Sequence, residues 1–172
     1  AGVLRDWDPE AGEVEANAAT TQFVLYNTGE FRIGTNLSTA NVYHGWELNG
    51  SYDASLSGNT PWRDSDYNSR ITKVNVTSSV SVVNAYRMLQ GLSNLTTASI
   101  GKLDTSSCTT MYELFDSCTS LKTVNASGLN TVSVTNMSYL FWNDTALTTV
   151  NLSGWDARAV TTCYGPFSYC DS

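Results

Sequence analysis

Residues 121–146 read LKTVNASGLNTVSVTNMSYLFWNDTA, and this stretch decides the fold. The residues before it, LTTASIGKLDTSSCTTMYELFDSCTS (95–120), and after it, LTTVNLSGWDARAVTTCYGPFSYCDS (147–172), align with it without a gap. A shorter, diverged copy, ITKVNVTSSVSVVNAYRMLQGLSN, starts at Ile71. Apolar positions recur in register. Leu95, Leu121 and Leu147 open the copies, and Ala98, Val124 and Val150 follow. Later come Met111, Met137 and Cys163, and then Phe115, Phe141 and Phe167, which are identical in all three. A fixed period of this length marks a repeat protein whose copies bury their apolar faces only by stacking.

The period changes inside each copy. Val124 and Ala126 alternate with Thr123 and Asn125, which is strand spacing. Val134, Met137, Leu140 and Phe141 then follow at helical spacing, with Thr131 placed to cap them. Pro166 interrupts the last copy, where a shorter or bent helix is expected. The expected fold class is therefore α/β: a solenoid with short parallel strands on one face and short helices on the other. Neighbouring strands would lie about 4.8 Å apart.

The stretch LTTVNLSGWDARAVTTCYGPFSYC, together with GLNT, VTNMSYLF and the opening Leu of the middle copy, resembles a known surface-protein repeat. It is similar to the repeat of BspA-like leucine-rich-repeat bacterial surface proteins, also found in mycoplasma lipoproteins. That family usually carries Asp-Thr where this chain has Asp156-Ala157, and a small residue near Pro166. These departures bear on local turn and helix geometry. The resemblance spans 71–172 and implies a leucine-rich-repeat solenoid. It also implies a Cys in the core at the position of Cys118 and Cys170.

Members often open with a hairpin, and FVLYNTGEFRI reads as two strands around Asn27-Thr28-Gly29. Residues 21–70 are then an N-terminal β-rich cap, with Gly50–Asp66 a loop anchored by Trp62. Residues 1–20 are an acidic, partly flexible leader. Ala1 is neither an initiator Met nor the start of a signal peptide, and Ser172 closes the last copy without a cap. The expectation is a fragment whose C-terminal edge is covered by further repeats or by self-association.

Composition narrows the function. The chain has 172 residues, 41% hydrophobic and only 15% charged, with a net charge of -7. Ser, Thr and Asn supply 58 residues. The acidity gathers in residues 1–70, beginning with Asp6, Asp8, Glu10, Glu13 and Glu15. An acidic chain does not suit nucleic acid, which needs a basic face. No apolar run reaches the roughly 18 residues that a membrane span needs. Asp6, Asp8 and Glu10 lack the spacing of a calcium loop. Eight Asn-x-Ser/Thr triplets occur, Asn75-Val-Thr and Asn151-Leu-Ser among them, and read as compositional bias.

The four cysteines are placed by the repeat. Cys163 and Cys170 would lie about 10 Å apart along a helix, and Cys118 and Cys170 two rungs apart. Both exceed the reach of a disulfide. Four buried thiols acting as small hydrophobes are expected. Zinc is disfavoured because no C-x-x-C occurs and His44 is the single His. His44 alone cannot found a nucleophilic triad, no recurring acid pair suggests glycoside hydrolysis, and no phosphate-binding glycine motif is present. No enzyme activity and no cofactor are expected.

Two surfaces are candidates for contact. One is the outward strand face, with columns Lys73, Thr97, Thr123, Thr149 and Asn75, Ser99, Asn125, Asn151. The other is an aromatic patch of Tyr112, Tyr139, Trp142, Tyr164 and Tyr169 beside Glu113. The resemblance implies an extracellular module on a bacterial cell surface or wall. It would bind a host or neighbouring-cell protein or glycan. A structural spacer with no ligand is the alternative.

Overall fold

The computed structural model describes residues 4–7, 20–49, 51–54 and 60–171. The cap is built from β1 (Leu4–Trp7), β2 (Thr20–Tyr26), β3 (Glu30–Gly34), β4 (Val42–Asn49) and β5 (Tyr52–Asp53). A 3-10 turn (Pro61–Arg63) and one helical turn, α1 (Ser65–Asn68), complete it. The repeats contribute β6 (Lys73–Val76), β7 (Val80–Asn84), β8 (Thr97–Ser99), β9 (Leu103–Asp104), β10 (Thr123–Asn125) and β11 (Thr149–Asn151). One eight-stranded sheet runs in the order β1-β4-β2-β3-β6-β8-β10-β11. Its β1, β4, β2 and β3 are antiparallel, and from β3 onward the pairing is parallel. The cap therefore continues the solenoid sheet and covers its first edge with main-chain hydrogen bonds, which leaves no open template there. Leu4–Trp7, read from the sequence as part of a partly flexible leader, pairs with β4, and Trp7 is buried.

The chain makes about four turns of a β-solenoid. The expected helices are absent from the described repeat residues, and consecutive turns replace them. The apolar spacing at Val134, Met137, Leu140 and Phe141 does point inward, but its backbone bonds run between rungs. Met111, Glu113, Phe115 and Ser117 donate to the carbonyls of Asn136, Ser138, Leu140 and Trp142, at 2.8–3.1 Å. Met137, Tyr139, Phe141 and Asn143 repeat this to Thr162, Tyr164, Pro166 and Ser168. Intervening N–H groups close local turns, Leu114 to Met111 and Cys118 to Phe115. A helix would need every residue right-handed. Here Glu113, Ser117, Tyr139 and Asn143 have φ of 54–61°, the left-handed region, and each of them donates to the next rung. Pro166 fits because its carbonyl still accepts from Phe141, and its ring sits where only a local turn bond is lost. Thr131 is no cap. Its hydroxyl donates to the Asp156 carbonyl at 3.0 Å and accepts from the Asp156 N–H at 2.7 Å, so it stitches two rungs.

Most of the core is one continuous cluster running from cap to solenoid, and Trp7, Val24 and Tyr26 form a second, smaller one in the cap. In the cap, Trp62 stacks on Phe23 at 4.8 Å and its indole donates to the Met88 carbonyl at 2.8 Å. Along the solenoid Phe115, Phe141 and Phe167 stack at 5.4 and 5.2 Å. The four cysteines are free, but only Cys108 and Cys118 are buried. Cys163 is exposed and Cys170 half-buried, because no later rung covers them among the described residues. The expectation of four buried thiols holds for two.

Candidate functional site

The strand face forms as two straight columns. Lys73, Thr97, Thr123 and Thr149 are in register across β6, β8, β10 and β11, as are Asn75, Ser99, Asn125 and Asn151. Glu30 and Arg32 extend the columns onto the cap. Arg32 and Asn75 both donate to the Glu30 carboxylate, at 2.9 and 3.4 Å. The Arg32 hydrogen bond, working against partial burial, holds the Glu30 carboxyl below the usual range. Much of the face is already committed internally. The side-chain oxygen of Asn125 accepts from the Ser127 N–H and hydroxyl at 3.1 and 2.7 Å. Asn151 does the same with Ser153 at 3.0 and 2.7 Å. These Asn-x-Ser triplets are turns that end a strand. The threonine column stays exposed.

The aromatic patch lies on the turn side. Tyr86 stacks on Tyr112 at 5.3 Å, Tyr112 meets Tyr139 edge-on at 5.7 Å, and Tyr139 meets Trp142 at 6.2 Å. Trp142 meets Tyr169 at 5.3 Å. Four of the five residues named from the sequence thus join one run, and Tyr86 begins it. Tyr86 was missed, although it precedes Tyr112 by one repeat length and the diverged first copy carries that signal. Tyr164 stands apart at 67% exposure. Ser138 occupies the same column between Tyr112 and Tyr164 and leaves a gap in the ring series.

Charged groups flank the run. Arg87 lies 4.9 Å over the Tyr86 ring and bonds Glu113 at 2.6 Å. Gln90 donates to Glu113 and Asp116 at 2.9 and 2.6 Å, and accepts from Arg63 of the cap at 2.6 Å. This network fixes Tyr112, whose hydroxyl is pushed above its ordinary range by hydrogen bonding to Glu113 and by burial. The positive-φ residues Arg87, Glu113 and Tyr139 occupy one column, and that backbone geometry places their side chains on this side.

His44 is packed against Trp46 and Tyr67 at 4.6 and 4.7 Å, with Nε2 3.1 Å from Asp6 Oδ1. Asp6 lies in β1, while Asp8, Glu10, Glu13 and Glu15 fall outside the described residues. A shallow cleft of about 400 Å³ opens between Asp6, Trp46, Thr60, Pro61, Arg63, Asp64 and Tyr67. Among the described residues, no three His, Cys, Asp or Glu side chains gather as a metal site requires. None of the described helices is long and apolar enough to cross a membrane.

Fold and surface together define a repeat protein: a capped β-solenoid with a polar strand face and an aromatic turn side. The chain belongs to the DUF285 family, described as a Mycoplasma protein of unknown function, whose model matches residues 59–172. No curated protein and no solved structure matches the chain.

Proposed function

We propose that this chain is a non-catalytic recognition module of a bacterial cell surface, and that the aromatic run on its turn side makes the contact. One observation carries the reading: Tyr86, Tyr112, Tyr139, Trp142 and Tyr169 form an unbroken series of ring contacts across the rungs. Tyr and Trp are concentrated at the cores of protein interfaces. Rings held by each other and by the Arg87–Glu113 pair lose little freedom on binding. The ligand class is a protein or a glycan of a host or neighbouring cell. The resemblance of the repeat to BspA-like surface proteins supports the extracellular location by analogy. The spacer reading draws support from the strand face, where Asn125 and Asn151 are spent on internal turns.

The test is a screen against extracellular matrix proteins and a glycan array, with two variants beside the native chain. A hit lost in Tyr112→Ala/Trp142→Ala/Tyr169→Ala and kept in Thr123→Ala/Asn125→Ala/Thr149→Ala is the expected result. The reverse pattern moves the contact to the strand face. The absence of any hit makes the chain a spacer.

A further inference from the structure

We infer that the cleft in the cap is a binding site for an organic cation, a substituted ammonium held against the Tyr67 ring by the carboxylates of Asp6 and Asp64. It is separate from the aromatic run on the turn side, and the failure of either leaves the other standing.

Two parts of the cap build the cleft. Asp6 of β1 pairs with Trp46 of β4, which sets the carboxylate and the indole on one face of the sheet. Residues 60–67 supply the rest of the lining, with Pro61, Asp64 and Tyr67 among them. The space between is about 400 Å³, within the range of small-molecule sites. Its rings form a wall that runs from the core to the surface. Trp62 meets Trp46 at 5.8 Å, Trp46 meets Tyr67 edge-on at 4.9 Å, and Tyr67 meets Tyr43 at 6.4 Å. Trp46 is buried, so half-buried Tyr67 offers the contact. This wall already carries one cation: the Arg70 guanidinium lies 4.0 Å over the neighbouring Tyr43 ring.

The sign of the charge selects the ligand. Asp6 and Asp64 line the cleft and are exposed, as is Asp66 beside them. The Tyr67 hydroxyl feels all three: burial pushes it above its ordinary range, and Asp6, Asp64 and Asp66 push it further. Among the described residues, no Arg or Lys forms an ion pair with any of the three. Asp6 meets the His44 imidazole at 3.1 Å. The guanidinium that lines the cleft, that of Arg63, is committed to the solenoid. It donates to Gln90 at 2.6 Å, and the charges acting on it are those of Arg87 and Glu113. An anionic ligand would be repelled here, and a neutral sugar would leave the carboxylates uncompensated. A substituted ammonium meets both features at once, since ring faces attract cations and the carboxylates balance the charge.

The probes are choline, its uncharged isostere 3,3-dimethylbutan-1-ol, and a blocked lysine. Each is titrated into the full chain while the Trp46 indole and the amides of residues 64–67 are followed by NMR. Choline should bind with a dissociation constant below about 5 mM, and the isostere at least ~10-fold more weakly. Asp6→Asn/Asp64→Asn keeps a capping side chain on α1 and should weaken choline at least ~5-fold. Tyr67→Phe should stay within ~2-fold of the native chain, and Tyr67→Leu should lose at least ~5-fold. Tyr112→Ala/Trp142→Ala/Tyr169→Ala should bind choline as the native chain does. Tighter binding of the blocked lysine assigns the cation to a peptide side chain, and tighter binding of choline assigns it to a small molecule. Four outcomes would overturn the proposal. They are no binding of either cation up to about 10 mM, equal binding of the isostere, full affinity in Asp6→Asn/Asp64→Asn, and shifts confined to the aromatic run.

Discussion

Asp144 shows how one residue can depart from its column at a measurable cost. Leu92, Cys118, Asp144 and Cys170 share one repeat position, so a carboxyl stands where the other copies place apolar or thiol groups. Asp144 is fully buried. One oxygen accepts from the Cys118 N–H at 2.8 Å, and Oδ2 has no partner. Burial pushes the carboxyl up to about 8, and the Cys118 hydrogen bond only partly opposes this. The folded protein thus holds a proton that the unfolded chain releases near pH 4. Stability is highest below that pH, falls as pH rises toward 8, and levels off above it. Each tenfold difference in proton affinity between the folded and unfolded chain corresponds to about 1.4 kcal/mol, so the loss amounts to several kcal/mol. The Tm should decline between pH 5 and pH 8, and Asp144→Asn should flatten that decline and raise the Tm at pH 8. A native Tm that rises over this interval would contradict the account. The neighbouring thiols of Cys118 and Cys170 are also raised, chiefly by burial and then by Asp144, which leaves them poor nucleophiles.

A rung is held by stacking and by hydroxyl stitching, and both are visible one position at a time. Thr135 and Thr161 donate their hydroxyls to the carbonyl one repeat back, at 3.2 and 3.3 Å. Thr148 and Thr145 repeat the pattern at 3.1 and 3.3 Å. The Ser, Thr and Asn bias of the composition is therefore structural: short polar side chains reach a neighbouring rung about 4.8 Å away, where long charged ones would overshoot. The phenylalanine column gives the clearest measure of stacking. Phe141 lies between Phe115 and Phe167, so Phe141→Ala should cost about 3–5 kcal/mol in denaturant unfolding. Phe167→Ala removes a half-exposed ring with one neighbour and should cost far less. Equal losses at the two positions would mean that the last rung is covered in solution. This element was also where sequence reading went astray. A spacing of i, i+3 and i+7 marks an inward-facing row in a helix and in a chain of successive turns alike. What separates them is the destination of the backbone N–H groups, and no spacing records it.

At the scale of the molecule, cap and solenoid share the eight-stranded sheet and the larger apolar cluster. The parallel pairing of β3 with β6 and the contact of Trp62 with Met88 join them. Arg63, Gln90, Glu113 and Asp116 add a polar clasp from the cap to the second rung. The cap should therefore unfold together with the first rungs. Trp62→Phe keeps most of the ring volume and removes the indole donor. It leaves the buried Met88 carbonyl short of a partner, at a cost of about 1–3 kcal/mol. A single unfolding transition shifted to lower denaturant is expected; separate cap and solenoid transitions would refute the shared core. Far-UV circular dichroism of the native chain should lack a helical minimum at about 222 nm, since helix is confined to short turns among the described residues.

The sequence by itself determined the repeat: its length, its copies, its inward rows and its parallel stacking, because each copy has too little apolar surface to fold alone. It also carried the hairpin around Asn27-Thr28-Gly29 and the columns of the strand face, which follow from register once the period is known. Only the tertiary structure decided that the second half of each rung is turns. The main-chain donors there find better partners in the next rung than within their own segment. The structure likewise decided that Tyr112 meets Tyr139 and Tyr139 meets Trp142 although the three occupy different repeat positions, since ring contacts cross columns.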